Sequence, residues 1–367
     1  MRMEILPKLS FVIFLNASLL TRIAVAFVFN QNDREVYVSS FRGCDSRSLI
    51  VRPHGGPHHF TNIATLGLMS GTRRKSHKDN DPMPTHPMQQ QIPWGKSPYL
   101  ALITETDACA SLKRVEETIS AIEQATIDGG VTLVVVRVPD DESYERKWTL
   151  IQKLAELKQH QQYAGKAGFY LVINNELELA IQAISQNIAL DGVHVKEHDA
   201  NQIPSIRKRL HDTAEKARGK TKTNEIQHNK HIIIGTSCHS KHSAIGSYQL
   251  SPRGPDYLFV GTCYLTQSHP EKTAIDQLEG PTLPGTVKKE LYQLFDKMDK
   301  TESQLPPPEP PKIFAIGGID EQNCHEPVLE YGADGVATIR AVMQASDPRC
   351  MVQDMKHAMQ KKINGKK

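Results

Sequence analysis

The segment that decides the fold is IFAIGGIDEQNCHEPVLEYGADGVATIR, which spans Ile313–Arg340. It begins with the apolar run Ile313–Ile316 and closes with a second run, Gly335–Ile339. A helix is predicted between the two runs, over Asn323–Tyr331. Short, continuously apolar runs are typical of parallel strands that are covered on both faces. The segment therefore predicts one strand–helix–strand unit whose two strands are parallel.

The same pattern recurs along the chain from its first apolar run after residue 98. Six further runs of strand length are Tyr99–Ile103, Val131–Arg137, Phe169–Ile173, Gly192–Val195, His231–Gly235 and Tyr257–Gly261. A helix is predicted after each of these runs and after the last run of the chain. The predicted helices include Leu112–Ile122, Trp148–Leu157, Glu176–Asn187, Ile203–Ala217, Lys241–Gln249, Val287–Met298 and Pro348–Lys361. Eight units in this order predict an α/β fold, a (β/α)₈ TIM barrel. A doubly wound open sheet is the alternative, but it rarely contains so many units in strict order.

Charge and cysteine content exclude several classes of protein. The 367 residues include 44 Lys and Arg against 41 Asp and Glu, and the net charge of +3 is too balanced for nucleic acid as the main partner. Six cysteines in 367 residues are too few for a disulfide scaffold, and the absence of a CxxC pair excludes a zinc ribbon. We expect small-molecule partners, no membrane association of the mature protein, and either a monomer or a homo-oligomer.

Residues 1–97 are predicted to be an N-terminal targeting extension. Arg2 and Lys8 flank the start of the apolar run Leu9–Leu20, and Ala24–Ala26 has the small-x-small pattern of a cleavage site. Residues 1–26 are therefore predicted to be a signal peptide, with a membrane anchor as the alternative. Residues 27–97 are predicted to be a transit-peptide-like stretch and a disordered linker, and residues 98–367 to be the barrel domain.

The composition of residues 27–97 indicates where the protein is sent. Val36–Ser76 holds six Lys and Arg but one acidic residue, a bias that is typical of transit peptides. A signal peptide followed by such a stretch resembles the bipartite presequences of algae with secondary plastids. Unpaired cysteines also favour a reducing compartment. We therefore expect a plastid location, with secretion or another organelle as the alternative.

Polar residues follow the predicted strands, while the strand interiors are apolar. In a barrel of this type the active site lies at the carboxyl ends of the strands. The polar side chains at these positions include Arg137, Asn174, Asn175, Asp199, Ser237, His239, Thr266, Gln267, Ser268, His269 and Arg340. Gly317-Gly318 and Gly332–Val336 are predicted to form phosphate-binding loops, because glycine lets backbone N–H groups approach a phosphate closely. The pattern predicts a catalytic barrel.

Several of these segments match one family in the same order along the chain. Ala315–Ile319 (AIGGI), Tyr331–Ala337 (YGADGVA), Asp191–His194 (DGVH) and Gly235–His239 (GTSCH) resemble motifs of thiamin phosphate synthases and TenI-type thiazole tautomerases. The resemblance covers Pro98–Ile363. It implies a thiazole phosphate substrate and, for a synthase, hydroxymethylpyrimidine pyrophosphate bound through Mg²⁺. Pyrophosphate then leaves, and the thiazole nitrogen captures the pyrimidine cation.

The resemblance also implies a role for each matching residue. The residues implied for thiazole phosphate are Thr266, Gln267, Ser268, Gly318, Ile339 and Arg340, the last standing where the family usually has serine. Those implied for the pyrimidine pyrophosphate are Arg137, Asn174, Ser237 and His269. His239, Arg137 and Ser237 are the implied catalytic residues, and Asn175 and Asp199 the implied Mg²⁺ ligands.

The pyrophosphate half of the site departs from the family pattern. Asn175 replaces a metal-binding carboxylate, and His269 replaces a lysine. The family's Gln-x-Arg-x-Lys motif keeps Arg137 alone. Lys196, Lys272 and His269 are candidates to replace the positive charge of the missing lysines. The leading hypothesis is a divergent thiamin phosphate synthase. The alternatives are a tautomerase in which His239 moves the proton, since imidazole titrates near neutral pH, and a non-catalytic binder of thiazole phosphate or thiamin phosphate.

Overall fold

The computed structural model describes two compact units, Met1–Pro84 and Thr85–Lys367. The residues that the structure describes are 10–13, 24–30, 35–42, 45–51, 94–128, 130–139, 141–165, 168–218, 232–250, 253–299 and 309–361. In the first unit, four strands pair antiparallel in chain order, and they span Ser10–Ile13, Ala24–Asn30, Glu35–Arg42 and Asp45–Val51. These strands were not predicted from the sequence. Much of the predicted signal peptide and most of the predicted linker lie outside the described residues.

The second unit is a closed barrel of eight parallel strands, which confirms the predicted fold. The strands are β1 (Tyr99–Ile103), β2 (Leu133–Val136), β3 (Tyr170–Asn174), β4 (Gly192–Val195), β5 (Ile233–Cys238), β6 (Tyr257–Val260), β7 (Lys312–Ile316) and β8 (Gly335–Thr338). Each strand pairs with its neighbours in the chain, and β8 pairs with β1 in the register Ala337 to Ala101. The closure leaves no free edge in this barrel.

Helices follow the strands and cover the outside of the barrel. They are α1 (Leu112–Thr126), α2 (Tyr144–Tyr163), α3 (Leu177–Ser185), α4 (Ile203–Arg218), α5 (Lys241–Tyr248), α6 (Thr282–Asp299), α7 (Arg340–Met343) and α8 (Pro348–Gln360). Ser111 and Ser240 begin α1 and α5 by accepting a hydrogen bond from the backbone N–H three residues ahead, at 3.1 and 3.0 Å. No helix among the described residues has both the length and the apolar character needed to cross a membrane.

The segment after β7 differs from its prediction. An α-helix was expected over Asn323–Tyr331, but the chain forms a short π-helical turn over Glu326–Glu330. Pro327 explains the difference, because it has no N–H to donate within an α-helix. Its carbonyl oxygen instead accepts the N–H of Ala333 at 2.9 Å. The compact turn brings the chain directly to the start of β8.

Three buried aspartates each stand one residue before an even-numbered strand. Asp191, Asp256 and Asp334 accept the backbone N–H of Leu171, Ile234 and Ile313 in the preceding odd-numbered strand, at 2.7, 2.8 and 2.9 Å. Each also pairs with a cation on the helix that enters that odd-numbered strand, namely Lys158, Arg207 and Lys288. Each aspartate therefore ties a helix and two adjacent strands together.

The described part of the second unit begins earlier than predicted. Trp94 was assigned to the disordered linker, but its side chain is buried at the amino ends of the strands. Its ring centroid lies 5.2 Å from that of Tyr170 and 6.1 Å from those of Tyr257 and Phe314. Together with Tyr99 these rings form the aromatic floor of the barrel. Burial of so large an apolar surface makes Trp94 part of the barrel domain.

We expect Asp256→Ala to lower the free energy of unfolding by about 3 kcal/mol or more, because it leaves the buried Arg207 guanidinium without its carboxylate. Glu290→Ala is the matched control, since it breaks the exposed pair with Lys241 and should cost less than about 1 kcal/mol. Urea unfolding of the parent protein and the two variants measures both losses in the free energy of unfolding. Equal losses for the two variants would contradict the role given to the buried aspartates.

Candidate active site

A cavity of about 1010 Å³ opens at the carboxyl ends of the strands. All the predicted site residues except Asp199 line it, and they are Arg137, Asn174, Asn175, Ser237, His239, Thr266, Gln267, Ser268, His269, Gly318, Ile339 and Arg340. The barrel therefore brings these residues together from six of its strand ends, as the sequence pattern predicted. The second predicted phosphate loop is wrong, because Gly332–Asp334 precedes β8 and lies at the opposite end of the barrel.

The loop after β7 requires glycine at two successive positions. Gly317 and Gly318 have φ angles of 100° and 65°, a region that other residues rarely adopt. A Cβ on Gly318 would lie 2.5 Å from the carbonyl oxygen of Leu265. The Asn323 side chain holds the loop by donating to the Gly318 carbonyl oxygen at 2.8 Å. At these two positions the loop therefore presents its backbone to the cavity, and Ile319 and Asp320 line the cavity after them.

Arg340 joins the loops that follow β6 and β8. Its guanidinium donates to the Thr266 hydroxyl oxygen at 3.0 Å, and the same oxygen accepts the N–H of Ser268 at 3.3 Å. Ile339 caps α7, and the N–H groups in the first turn of a helix have no acceptor within the helix. The residues implied for thiazole phosphate therefore form one wall of the cavity, which carries the positive charge of Arg340 and the backbone of the Gly317-Gly318 loop.

Two cations line the other side of the cavity, at the ends of β2 and β4. Arg137 is held by its backbone, since its N–H donates to the Thr104 hydroxyl at 2.8 Å and its carbonyl accepts from the same hydroxyl at 2.9 Å. Burial lowers the pKa of the guanidinium. Among the described residues, no carboxylate pairs with Arg137 or Lys196, so both charges remain available to an anionic ligand.

The two residues implied for Mg²⁺ are placed differently. Asn175 lines the cavity with a left-handed backbone, φ 57°. Asp199 does not line it, and its carboxylate instead accepts from Gln202 at 2.9 Å and lies 3.1 Å from the His198 ring. No cluster of three metal-binding side chains occurs within the described part of the chain. A neutral amide and a carboxylate turned elsewhere do not fit a Mg²⁺ site built on two carboxylates.

The three side chains considered as substitutes for the missing lysines differ in availability. Lys272 donates to both carboxylate oxygens of Glu279 at 2.7 Å, and His269 lies 2.9 Å from a carboxylate oxygen of Glu271. The charge of Lys272 is therefore already compensated, and the His269 ring already has a carboxylate neighbour. Lys196 is the remaining candidate, and it lies beside Asn175 because the Asn175 N–H bonds to the carbonyl oxygen of His194 at 2.8 Å.

His239 sits between two carboxylates at the cavity. Its Nδ1 lies 3.7 Å from Glu279 Oε1, and its Nε2 lies 3.9 Å from Glu197 Oε2. These separations exceed hydrogen-bond length, and Nδ1 is buried without a hydrogen-bond partner among the residues that the structure describes. Burial acts to raise the pKa of Glu279, but hydrogen bonds from Lys272 and the Thr262 N–H outweigh it and lower that pKa. An ionised carboxylate therefore faces the imidazole.

From the sequence, His194 was placed at the end of the fourth strand, as the last residue of the DGVH motif, but no role in the site was assigned to it. It lines the floor of the cavity, where Nε2 lies 3.0 Å from the Ser237 hydroxyl and Nδ1 lies 3.1 Å from the Tyr257 hydroxyl. Its ring stacks on Phe259 at 4.7 Å between centroids. Burial lowers the pKa of His194 to about 3. The available signal was the DGVH motif, in which alternation along β4 places His194 on the inward face with Gly192.

Fold and cavity together define the class of protein, a (β/α)₈-barrel enzyme whose polar site lies at the carboxyl ends of the strands. The family model described as thiamine monophosphate synthase matches residues 100–342, and the chain belongs to that family. It is therefore a transferase-family enzyme of thiamin biosynthesis that acts on small phosphorylated molecules.

The chain is also similar to individual proteins. The chain is 28% identical to a thiamine-phosphate synthase of Bacillus velezensis over 233 residues, covering 64% of this chain and 80% of the relative. It is 26% identical to a thiamine-phosphate synthase of Methanobrevibacter smithii, with 65% and 88% covered. Among solved structures, it is similar to a thiamine phosphate pyrophosphorylase from Pyrococcus furiosus, with 18% identity, a TM-score of 0.46, and 71% and 95% of the chains covered.

We expect His194 to make the folded protein sensitive to acid. Its pKa is about 3 in the folded protein against an ordinary value of 6.5, so between these values the unfolded chain binds one more proton. The free energy of unfolding should therefore fall by about 1 kcal/mol per pH unit over this window as pH decreases. Urea unfolding of His194→Gln should show a flatter acid limb, whereas the exposed control His242→Gln should follow the parent protein. Parallel curves for the parent and His194→Gln would contradict the expectation.

Proposed function

We propose that the protein is a thiamine-phosphate synthase that joins hydroxymethylpyrimidine pyrophosphate to thiazole phosphate. The observation that carries the proposal is the distribution of charge in the cavity. Arg340 and the Gly318 loop lie on the β6–β8 side, and Arg137 and Lys196 lie on the β2–β4 side, across the closed barrel. Two separate anion sites suit two phosphorylated substrates held with their rings between them.

The reaction needs charge stabilisation more than proton transfer. The bond between the pyrimidine methylene carbon and the pyrophosphate oxygen breaks, and the bonding electron pair leaves with pyrophosphate. The lone pair of the thiazole nitrogen then forms the new bond to that carbon. Arg137 and Lys196 would stabilise the charge that develops on the leaving group. No step is assigned to Mg²⁺, because Asn175 and Asp199 do not fit a two-carboxylate site.

We expect Arg137→Ala and Lys196→Ala each to lower kcat/KM for thiamin phosphate formation by about a hundredfold or more, since each removes a donor to the leaving group. Lys208→Ala, an exposed lysine on α4, is the matched control and should leave the rate unchanged. Product is followed as fluorescent thiochrome, across a Mg²⁺ titration. Parent-like rates in both cavity variants would contradict the proposal.

A second candidate function rests on His239. Its Nδ1 is buried and has no hydrogen-bond partner in the described part of the chain, and carboxylates lie on both sides of the ring. An imidazole in this setting can take a proton from one atom of a thiazole precursor and return it to another, which is the proton shift of a tautomerase. The same wall would hold the phosphate of that substrate.

His239→Ala separates the two candidates. If the protein is a tautomerase, this variant loses aromatisation of the thiazole precursor by about a hundredfold or more, because the base that moves the proton is absent. His242→Ala, an exposed histidine on α5, is the control. Aromatisation at the parent rate in His239→Ala would contradict the tautomerase. Tight binding of thiazole phosphate without turnover in either assay would identify a non-catalytic binder.

We also propose that the residues before Trp94 direct the protein to a plastid, on the basis of the signal-peptide pattern and the basic, hydroxylated stretch that follows it. A fluorescent fusion of these residues tests the location. Secretion of the fusion would contradict the proposal.

A further inference from the structure

We infer that Tyr257 and His194 are positioning residues that give the Ser237 hydroxyl a fixed direction, so that Ser237 donates a hydrogen bond into the cavity. The three side chains form one line from the aromatic floor to the cavity. The Tyr257 hydroxyl lies 3.1 Å from His194 Nδ1, and His194 Nε2 lies 3.0 Å from the Ser237 hydroxyl. Ser237 and His194 both line the cavity.

The direction of the line follows from the surroundings of Tyr257. Its side chain is fully buried, with Phe314 and Trp94 around its ring. Gly235 makes room for the ring, because a Cβ there would lie 2.0 Å from the carbon that carries the hydroxyl. Among the described residues, His194 Nδ1 is the hydrogen-bond partner of this hydroxyl. A buried hydroxyl proton without an acceptor is costly, so Tyr257 donates and Nδ1 accepts.

The tautomer of His194 is then determined. Its Nδ1 carries no proton, because it accepts the Tyr257 hydroxyl, and the buried ring is neutral. The single ring proton of a neutral imidazole must therefore be on Nε2. Nε2 donates to the oxygen of Ser237, and the proton of Ser237 remains free to point into the cavity.

This direction selects the chemistry of the ligand atom above Ser237. That atom must be a hydrogen-bond acceptor, such as an unprotonated ring nitrogen or a phosphate oxygen. If His194 were the Nδ1–H tautomer, Nε2 would accept from Ser237 instead, and the serine would present only lone pairs to the ligand. Tyr257 contacts the opposite side of the imidazole from Ser237. It therefore determines that Ser237 acts as a hydrogen-bond donor towards the ligand.

Nuclear magnetic resonance of the full chain with isotope-labelled histidine reads the tautomer directly. We expect His194 to be the neutral Nε2–H form in the parent protein and to change to the Nδ1–H form, or to a mixture, in Tyr257→Phe. Tyr99→Phe is the matched control, because it also removes a hydroxyl from the aromatic floor. The Tyr99 hydroxyl donates to the Gly95 carbonyl oxygen and not to His194. An Nδ1–H tautomer in the parent, or no change in Tyr257→Phe, would overturn the inference.

A double-mutant cycle tests the effect on the ligand, and this arm rests on the proposed synthase function. We expect Tyr257→Phe to lower kcat/KM by about tenfold, and to have no further effect when Ser237→Ala is already present. A merely structural role of Tyr257 would instead give losses that multiply, and this result would overturn the inference. Because the tautomer is measured without substrate, failure of the proposed synthase function would leave that measurement intact.

Discussion

The three buried aspartates before β4, β6 and β8 are the constraint on which the rest of the barrel depends. Each carboxylate accepts a backbone N–H from the preceding odd-numbered strand. It also pairs with a cation on the helix that enters that odd-numbered strand. Because these contacts join a helix, a strand and the next strand at one point, they determine how adjacent strands are aligned. The strand ends that carry the site residues are positioned by the same alignment, at the opposite end of the barrel.

The cavity separates two kinds of polar group. Cations lie on its two sides, where Arg137, Lys196 and Arg340 face it. At its floor, burial keeps His194 neutral, and the groups beside it are hydroxyls and aromatic rings. Negatively charged groups of a ligand would therefore be attracted to the sides, whereas the floor offers neutral hydrogen-bonding and aromatic groups. A site of this kind distinguishes the ends of a ligand from its middle by electrostatics as well as shape.

Much of the barrel could be predicted from the sequence, because buried parallel strands appear as short apolar runs and the polar residues stand where those runs end. The helix expected around Pro327 could not be predicted correctly from apolar spacing, since a missing N–H favoured a π-helical turn. That the Asp199 side chain does not line the cavity could not be predicted from the sequence either. It lies in a 3₁₀ turn over Glu197–Gln202, where a small rotation decides whether a side chain faces the cavity.

His194 shows a different limit of the sequence. A histidine inside an apolar strand is ordinarily a packed core residue, and the motif gave no reason to connect it with Ser237 or Tyr257. The connection exists only because β4, β5 and β6 are adjacent in the closed sheet. The four N-terminal strands were missed for another reason. The apolar run Leu9–Leu20 and the basic stretch after it have the composition of a targeting signal, and this interpretation was preferred to strands.

Trp94 has a consequence for the maturation of the protein. The indole belongs to the aromatic floor, although it precedes β1 and lies within the segment whose composition is that of a leader. A processing protease that cut beyond it would remove part of the core and admit water beneath Tyr257. If the proposed leader is removed by cleavage, a cut that leaves this floor intact would fall upstream of residue 94, so the barrel would limit how much of the leader could be removed.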